Sequence, residues 1–456
     1  MDSSLPGAAQ VLPAGGYITD VAYVRNFFAE TAPAWLDHVA LLSGFAPKER
    51  DAGFAWCDLG CGHGVTAAIL AATHPNGRFH GIDAMPLHID GARRFASDAE
   101  IPNISFHAAD FGYAAELDFP GFDYIVSHGV YAWVGQRARQ SWRRFIDRHL
   151  KPGGLVYVSY NAMPGRAADL PLQRLFRALG RSMPGNSGEQ ATAALGVVRS
   201  MTDLKAPALV ASPMAARLKD QGERSSPAYL AHEFMVADWE PLCVTEVRAS
   251  LAEIALQPAG SATLMDNYDN FVLGGAAREV LAAIGDADAR ELARDFLIDQ
   301  FFRRDVFIRA GRRLDEDERR RQLMESTYFL ARPEASVEYG MATAAGHLSF
   351  DSPVAHHIVK ALAAGPRRLS DIADPSIPDR DLLANALTLC ASMNIRPVRA
   401  GHASVAPINR VIGERMGGAE EIRWLALPCG TAIPAPGDLP GDQYGDWARW
   451  QASGPR

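Results

Sequence analysis

The stretch Trp56–Ile89, WCDLGCGHGVTAAILAATHPNGRFHGIDAMPLHI, decides the fold. An apolar run ending at Asp58 leads into glycines at alternate positions, Gly60, Gly62 and Gly64. A helical stretch of small residues, Val65–Thr73, and a second apolar run, Arg78–Asp83, follow, and the second run again closes on an aspartate. Strand, glycine turn, helix and strand make a βαβ unit, and glycines at its first turn let the backbone take positive φ or approach a ligand closely. The spacing is D-x-G-x-G-x-G. A dinucleotide fingerprint asks for its third glycine one place later, where this chain has Val65, and an acidic residue ahead of the glycines suits an ammonium rather than a phosphate.

Outward from this unit the alternation continues. Phe54–Asp58, Arg78–Asp83, Ile104–Ala108, Tyr124–Ser127 and Leu155–Tyr160 read as strands, with His88–Ala99 and Arg139–Leu150 among the intervening helices. Such a pattern predicts a parallel sheet covered on both faces. In LKPGG, Pro152 stops the preceding helix and Gly153 or Gly154 takes positive φ before the fifth strand. Three strand ends carry carboxylates. Asp58 is placed for the ammonium of an amino-acid moiety, Asp83 for a pair of ribose hydroxyls, and Asp110, in HAADFG, for an exocyclic adenine amine with Phe111 lining the ring. Each alone would serve equally as a turn aspartate or helix cap. Together they describe a cationic, ribose-bearing adenine ligand without phosphate, which is S-adenosylmethionine.

At DLGCGHG, GIDAMPLHI, AADF and LKPGG the chain resembles class I S-adenosylmethionine-dependent methyltransferases over residues 53–160. YITDVAYVRNFFAETAPAWLDHVALLSGF, SYNAMPG, YLAHEFMVADWEPL and DFLIDQFFRRDVFIRAGRRL extend a narrower resemblance over most of the chain. They are similar to bacterial methyltransferases that carry a methyltransferase regulatory domain, a group that includes the rickettsial-type protein-lysine methyltransferases. The resemblance implies an α/β fold: a doubly wound Rossmann-like methyltransferase sheet, a mainly helical middle domain and a C-terminal winged-helix-like domain. The corresponding divisions are 17–165 for the S-adenosylmethionine-binding domain, 166–345 for the middle regulatory domain and 346–456 for the last. It implies transfer of a methyl group to an acceptor amine, with protein lysine the leading candidate. Small-molecule N- or O-methylation and non-catalytic S-adenosylmethionine sensing stand as alternatives. Arg166 departs from the family pattern after MPG, where relatives carry an aromatic residue, and this leaves the acceptor side open.

Methyl transfer needs an acceptor lone pair held in line, a site without water and a destination for one proton. The fourth strand end, VSHGVYAWVGQ, offers Ser127 beside the cofactor, His128 as a general base or a structural histidine, and Tyr131 and Trp133 as aromatic walls. At the fifth, Tyr160 and Asn161 either orient the acceptor or cap the turn. Tyr17 and Tyr23 close over the methionine end or pack helices, and YLAHEF projects His232 and Glu233 toward an acceptor channel. The site residues read from sequence are therefore His128, Tyr131, Tyr160 and Asn161 for chemistry. Tyr17, Asp58, Gly60, Gly62, Gly64, Asp83, Asp110, Phe111 and Ser127 are read for the cofactor, and no residue for a metal.

The wider sequence bounds this reading. The 456 residues ask for two or three domains, and 48% apolar with 21% charged residues is a globular composition. A net charge of −8 argues against a nucleic-acid partner, and no lysine or arginine stands in DLLANALTLCASM, the candidate recognition helix of a winged unit. Around that helix, SPVAHHIVKALAAG and LSDIAD predict helices and HASVAPIN a partner strand; Thr263–Leu273 reads as strand and DEDERRR as a solvated helix face. Five scattered cysteines and the lack of a signal peptide or an 18-residue apolar run predict a cytoplasmic protein without membrane insertion. Its partner is a protein or small-molecule methyl acceptor.

Overall fold

The computed structural model describes residues 18–47, 53–221, 225–399, 403–418 and 421–435. Its centre is a seven-stranded sheet. Strands β1 (Phe54–Leu59), β2 (Gly77–Asp83), β3 (Ile104–Ala108), β4 (Phe122–Ser127), β5 (Leu150–Asn161), β6 (Leu256–Ser261) and β7 (Phe302–Arg309) stand in the order β3-β2-β1-β4-β5-β7-β6. The pairings among β1–β5 are parallel, while β7 is antiparallel to both β5 and β6. Chain order reverses between β1 and β4, so the carboxyl ends of these strands open a crevice.

Burial explains the local choices. All six residues of β1 and β4 are buried, as parallel strands covered on both faces require. Helix α2 (Val65–Thr73) is also buried almost all round, because its small side chains fit between the sheet and a hairpin formed by Trp424–Leu427 and Thr431–Pro434. Helices α1 (Pro33–Leu42), α3 (Pro86–Asp98), α4 (Phe111–Ala114) and α5 (Gln136–His149) complete the layers, with proline opening α1 and α3. Apolar side chains of the C-terminal segments, such as Ile358, Leu382 and Ala426, share one core with Trp56 and Ile69. One polar tie is Asp37 of α1, whose Oδ2 accepts from Tyr124 Oη at 2.7 Å and from Arg399 Nη2 at 2.9 Å.

Several local expectations are corrected. Thr263–Leu273 forms no strand; it holds a 3-10 turn at Leu264–Asn267 and a short helix at Asp269–Val272. The outer strands lie on either side of it, where the alternation is hidden by Pro258 and by the charged run of β7. LKPGG belongs to β5 itself: Leu150 pairs with Phe122, Leu155 pairs with Tyr124, and Gly153 at φ 74 lies in the irregularity between them. LSDIAD contributes only the 3-10 turn Ser370–Ile372. The expected partner strand in HASVAPIN is a helix, Ala406–Arg415, and Ile395–Val398 pairs instead with Thr327–Leu330.

Arg303 and Asp305 of β7 are buried rather than solvated. Arg303, 4% exposed, directs Nε to Asp305 Oδ2 at 3.0 Å, Nη1 to Asp295 Oδ1 at 2.5 Å and Nη2 to Glu291 Oε1 at 2.6 Å. Tyr160 of β5 donates to Asp305 Oδ2 at 2.6 Å, so the network fastens the added strand to the parallel sheet. Removing one partner strands a charge in a place water does not reach. Asp305→Ala is therefore expected to cost about 3 kcal/mol or more, seen as a lower urea midpoint, while Asp317→Ala on the exposed helix Glu316–Met324 leaves the midpoint in place.

Candidate functional site

A cavity of about 1100 Å³ occupies the crevice. Its floor is built from strand ends. Asp58 closes β1, Gly60 and Gly62 follow it, Asp83 closes β2, and Asp110 and Phe111 begin the segment after β3. Each glycine has a different task. A Cβ on Gly60 would fall 2.4 Å from Val130 Cγ2, and one on Gly64 would fall 2.4 Å from Phe106 Cε1, whereas Gly62, at φ 53, has nothing within 4 Å of that position. Gly62 is thus the position where the loop opens onto the cavity, and its N–H donates to Asp83 Oδ2 at 2.9 Å.

The acids that close β1 and β2 differ in their partners. Asp83 has three partners: besides Gly62, the Met85 N–H donates to Oδ1 at 2.9 Å, and His88 Nδ1 lies 3.2 Å from the same oxygen. Asp58 is 8% exposed and accepts no hydrogen bond among the described residues. Burial, followed by the charge of Asp83, pushes its carboxyl up to about 8. An acid left without donors at the edge of a cavity calls for a cation. Asp110 caps α4, its Oδ1 accepting from Tyr113 N at 2.7 Å, and still lines the cavity beside Phe111.

On the opposite side, His128 stacks on Phe28 with ring centroids 3.6 Å apart, and its Nδ1 lies 2.8 Å from Tyr157 Oη. Burial holds the imidazole at about 4, so it is neutral at physiological pH. Asn161 lines the same wall, its Oδ1 accepting from Trp239 Nε1 at 3.1 Å. Trp133, Tyr229, His232, Glu233, Asp238, Phe302 and Arg304 complete it. Tyr23, Asn26 and Phe28 reach the cavity from a segment without regular structure, residues 18–28.

Four assignments from sequence are not brought to the cavity. Tyr131 lies in a buried 3-10 turn with its hydroxyl 3.1 Å from Ser250 Oγ, and Tyr160 is taken by Asp305. Ser127 donates to Leu59 O at 2.8 Å, joining β4 to β1. Gly64 caps α2 and provides the close helix–sheet packing that a dinucleotide loop obtains one residue later. In each case packing behind the sheet takes up the group. Tyr17 lies outside the described residues. Sequence reading passed over the roles of His88, Phe28, Asp238 and Arg304; each stands in a stretch quoted for the resemblance, but these stretches come together only across the fold.

Comparison with known proteins places this geometry. Residues 50–190 match a family described as methyltransferase domain, and residues 226–309 match one described as predicted methyltransferase regulatory domain. Over 361 residues the chain is 32% identical to the uncharacterized protein sll1526 of Synechocystis, covering 79% of this chain and 71% of that one. The chain belongs to the class I S-adenosylmethionine-dependent methyltransferases with a regulatory domain. A trans-aconitate 2-methyltransferase of Methylobacterium radiotolerans is 29% identical over 217 residues, 48% of this chain and 76% of that enzyme. In fold, the methyltransferase is similar to PKMT2 from Rickettsia typhi in complex with AdoHcy, with a TM-score of 0.68 at 20% identity over 91% of this chain and 86% of that one. S-adenosylmethionine is the cofactor, and the donor-free Asp58 and the open Gly62 fit its ammonium and its close approach to the loop. The wall residues Tyr229 to Arg304 fall within the regulatory segment, so this methyltransferase uses that segment to complete its cavity.

The raised Asp58 carboxyl has a signed consequence. A folded value of about 8 against an ordinary 3.8 favours the protonated form, so its stabilising contribution is full below the ordinary value and is lost as pH rises through about 8. An ammonium reverses this by favouring the carboxylate. Binding of S-adenosylhomocysteine at pH 7 should therefore release up to about one proton, measured by calorimetry in two buffers of different ionisation enthalpy. Asp58→Asn should lose both the release and most of the affinity.

Proposed function

We propose that the enzyme methylates an amine, with a protein lysine side chain the favoured acceptor. The observation that carries this reading is the charge state of the acceptor wall. Two arginines beside it are ion-paired, Arg166 with Asp169 at 3.0 Å and Arg304 with Glu30 at 2.9 Å. Its carboxylates, Glu233 and Asp238, accept no hydrogen bond among the described residues. Cations that already have an ion-pair partner, beside carboxylates that have none among the described residues, favour an ammonium. The sequence resemblance to protein-lysine methyltransferases supports the same acceptor.

When bound, S-adenosylmethionine supplies an electrophilic methyl group on a sulfonium. The chain's own residues do the rest. Asp58, Gly60, Gly62, Asp83, Asp110 and Phe111 hold the cofactor, while Phe28 and His128 form a dry wall that excludes water. An ammonium acceptor must lose a proton before its nitrogen can attack. Burial pushes the Glu233 carboxyl up to about 7, which suits that exchange better than His128, held at about 4. With its Oδ1 taken by Trp239, Asn161 offers only N–H donors, suited to orienting the acceptor rather than deprotonating it. A cytoplasmic site of action fits the five free thiols.

A second reading is methylation of a small carboxylic acid. It is favoured by the relatives that are trans-aconitate 2-methyltransferases, and in this case Arg166 and Arg304 would exchange partners to take the acid. Labelled S-adenosylmethionine incubated with a bacterial lysate, split by size, and with poly-L-lysine separates the two. Label on poly-L-lysine and in the macromolecular fraction is expected; label confined to small acids would end the amine reading. Glu233→Gln should lower kcat/KM on poly-L-lysine at least about tenfold without changing the affinity for S-adenosylhomocysteine. It should also remove the inflection near pH 7 from the rising wild-type profile.

A further inference from the structure

His88 is 1% exposed and sits in the first turn of α3, between Asp83 and the segment that carries Tyr23. The Tyr23 backbone N–H donates to its Nε2 at 3.1 Å, and its Nδ1 lies 3.2 Å from Asp83 Oδ1. A backbone amide can only donate, so Nε2 is the unprotonated nitrogen. Nδ1 therefore carries the hydrogen and gives it to the carboxylate. The tautomer is fixed by its two partners, and an imidazolium could not keep the bond from Tyr23.

The segment so attached, residues 18–28, crosses the cavity as a strap. Other ties run to the walls and to Thr66 in the first turn of α2, directly after the glycine loop. Asp20 Oδ2 accepts from Ser187 N at 2.7 Å, and Val21 O accepts from His232 Nε2 at 2.9 Å. Thr66 Oγ1 donates to Asn26 O at 3.3 Å and accepts from Phe28 N at 3.1 Å. Asn26 Oδ1 accepts from Trp424 Nε1 of the C-terminal hairpin at 2.8 Å. The strap also carries Phe28, the ring that covers His128. Without regular structure of its own, it depends on these ties for its position.

We propose that His88 is a positioning residue that couples the strap to cofactor occupancy, through hydrogen bonds to the Tyr23 amide on one side and the Asp83 carboxylate on the other. Asp83 shares its oxygens among Gly62, Met85 and His88, so the imidazole helps hold the carboxylate in the orientation that a ligand diol meets, and a diol bound there makes that orientation firmer. The ring transmits that change to Tyr23. Strap closure and cofactor binding then favour one another, and each must raise the other by the same factor.

Two half-mimics of the imidazole separate the bonds. Asn at this position places a donor where Nδ1 stood, and Gln places an acceptor where Nε2 stood. In the wild type, S-adenosylhomocysteine is expected to slow amide exchange across residues 18–28, with the Tyr23 amide among the most protected. His88→Asn should bind S-adenosylhomocysteine within about threefold of wild type while its strap exchanges fast with or without ligand. His88→Gln should keep the strap protected in the free protein, bind about tenfold more weakly, and show no further protection on binding. Melting curves of the free variants check that both are folded. Equal strap exchange with and without ligand in the wild type, or wild-type affinity and exchange in both variants, would overturn the proposal.

Discussion

A carboxylate held out of water beside a second carboxylate is costly, and Asp58 beside Asp83 is such a pair at the tips of adjacent parallel strands. Parallel pairing of β1 with β2 brings the two acids to one crevice, and Gly62 in the loop between them leaves open space where a side chain would stand. The sheet's two sides then follow from the need to build walls around that crevice. Asp83 is compensated internally by backbone N–H groups and His88, whereas Asp58 waits for a ligand charge. Much of the architecture can be understood as the means of keeping that second compensation external.

The regulatory segment is part of this construction. Its strand β7 enters the sheet antiparallel to β5, pinned by Arg303 among Asp305, Asp295 and Glu291, and the first residues of that strand place Phe302 and Arg304 on the cavity wall. A charged cluster of this kind contributes position more than stability, because desolvation offsets most of its attraction. The helix Pro227–Phe234 supplies Tyr229, His232 and Glu233 from the other side. The C-terminal segments act at greater distance, through the shared core, through Arg399 on Asp37 and through Trp424 on the strap. Catalytic surroundings and the remaining domains are therefore one packed body.

How much of this could be read beforehand varies with sequence separation. Asp58, Gly62, Asp83 and Asp110 were legible because each stands within a few residues of a strand end whose position the apolar pattern marks. The roles of Ser127, Tyr131 and Tyr160 were not. Each lies at the right strand end, but period-two alternation assigns a face only when the partner elements are known, and Leu59, Ser250 and Asp305 claim their hydroxyls from behind. β6 and β7 were hidden for a related reason: a proline-containing edge strand and a strand with buried arginines lack the apolar signature.

Sequence alone determined the βαβ unit, the acidic strand ends and the chemistry of the ligand they suit, since these rest on local backbone requirements and on charge. Tertiary structure decided which acid remains uncompensated, which glycine opens to the cavity and which opens only to a neighbouring ring. It also brought Phe28 onto His128 and Glu233 opposite the cofactor floor. Those outcomes depend on burial and on contacts between residues far apart in the chain, quantities that no local pattern of residue types contains.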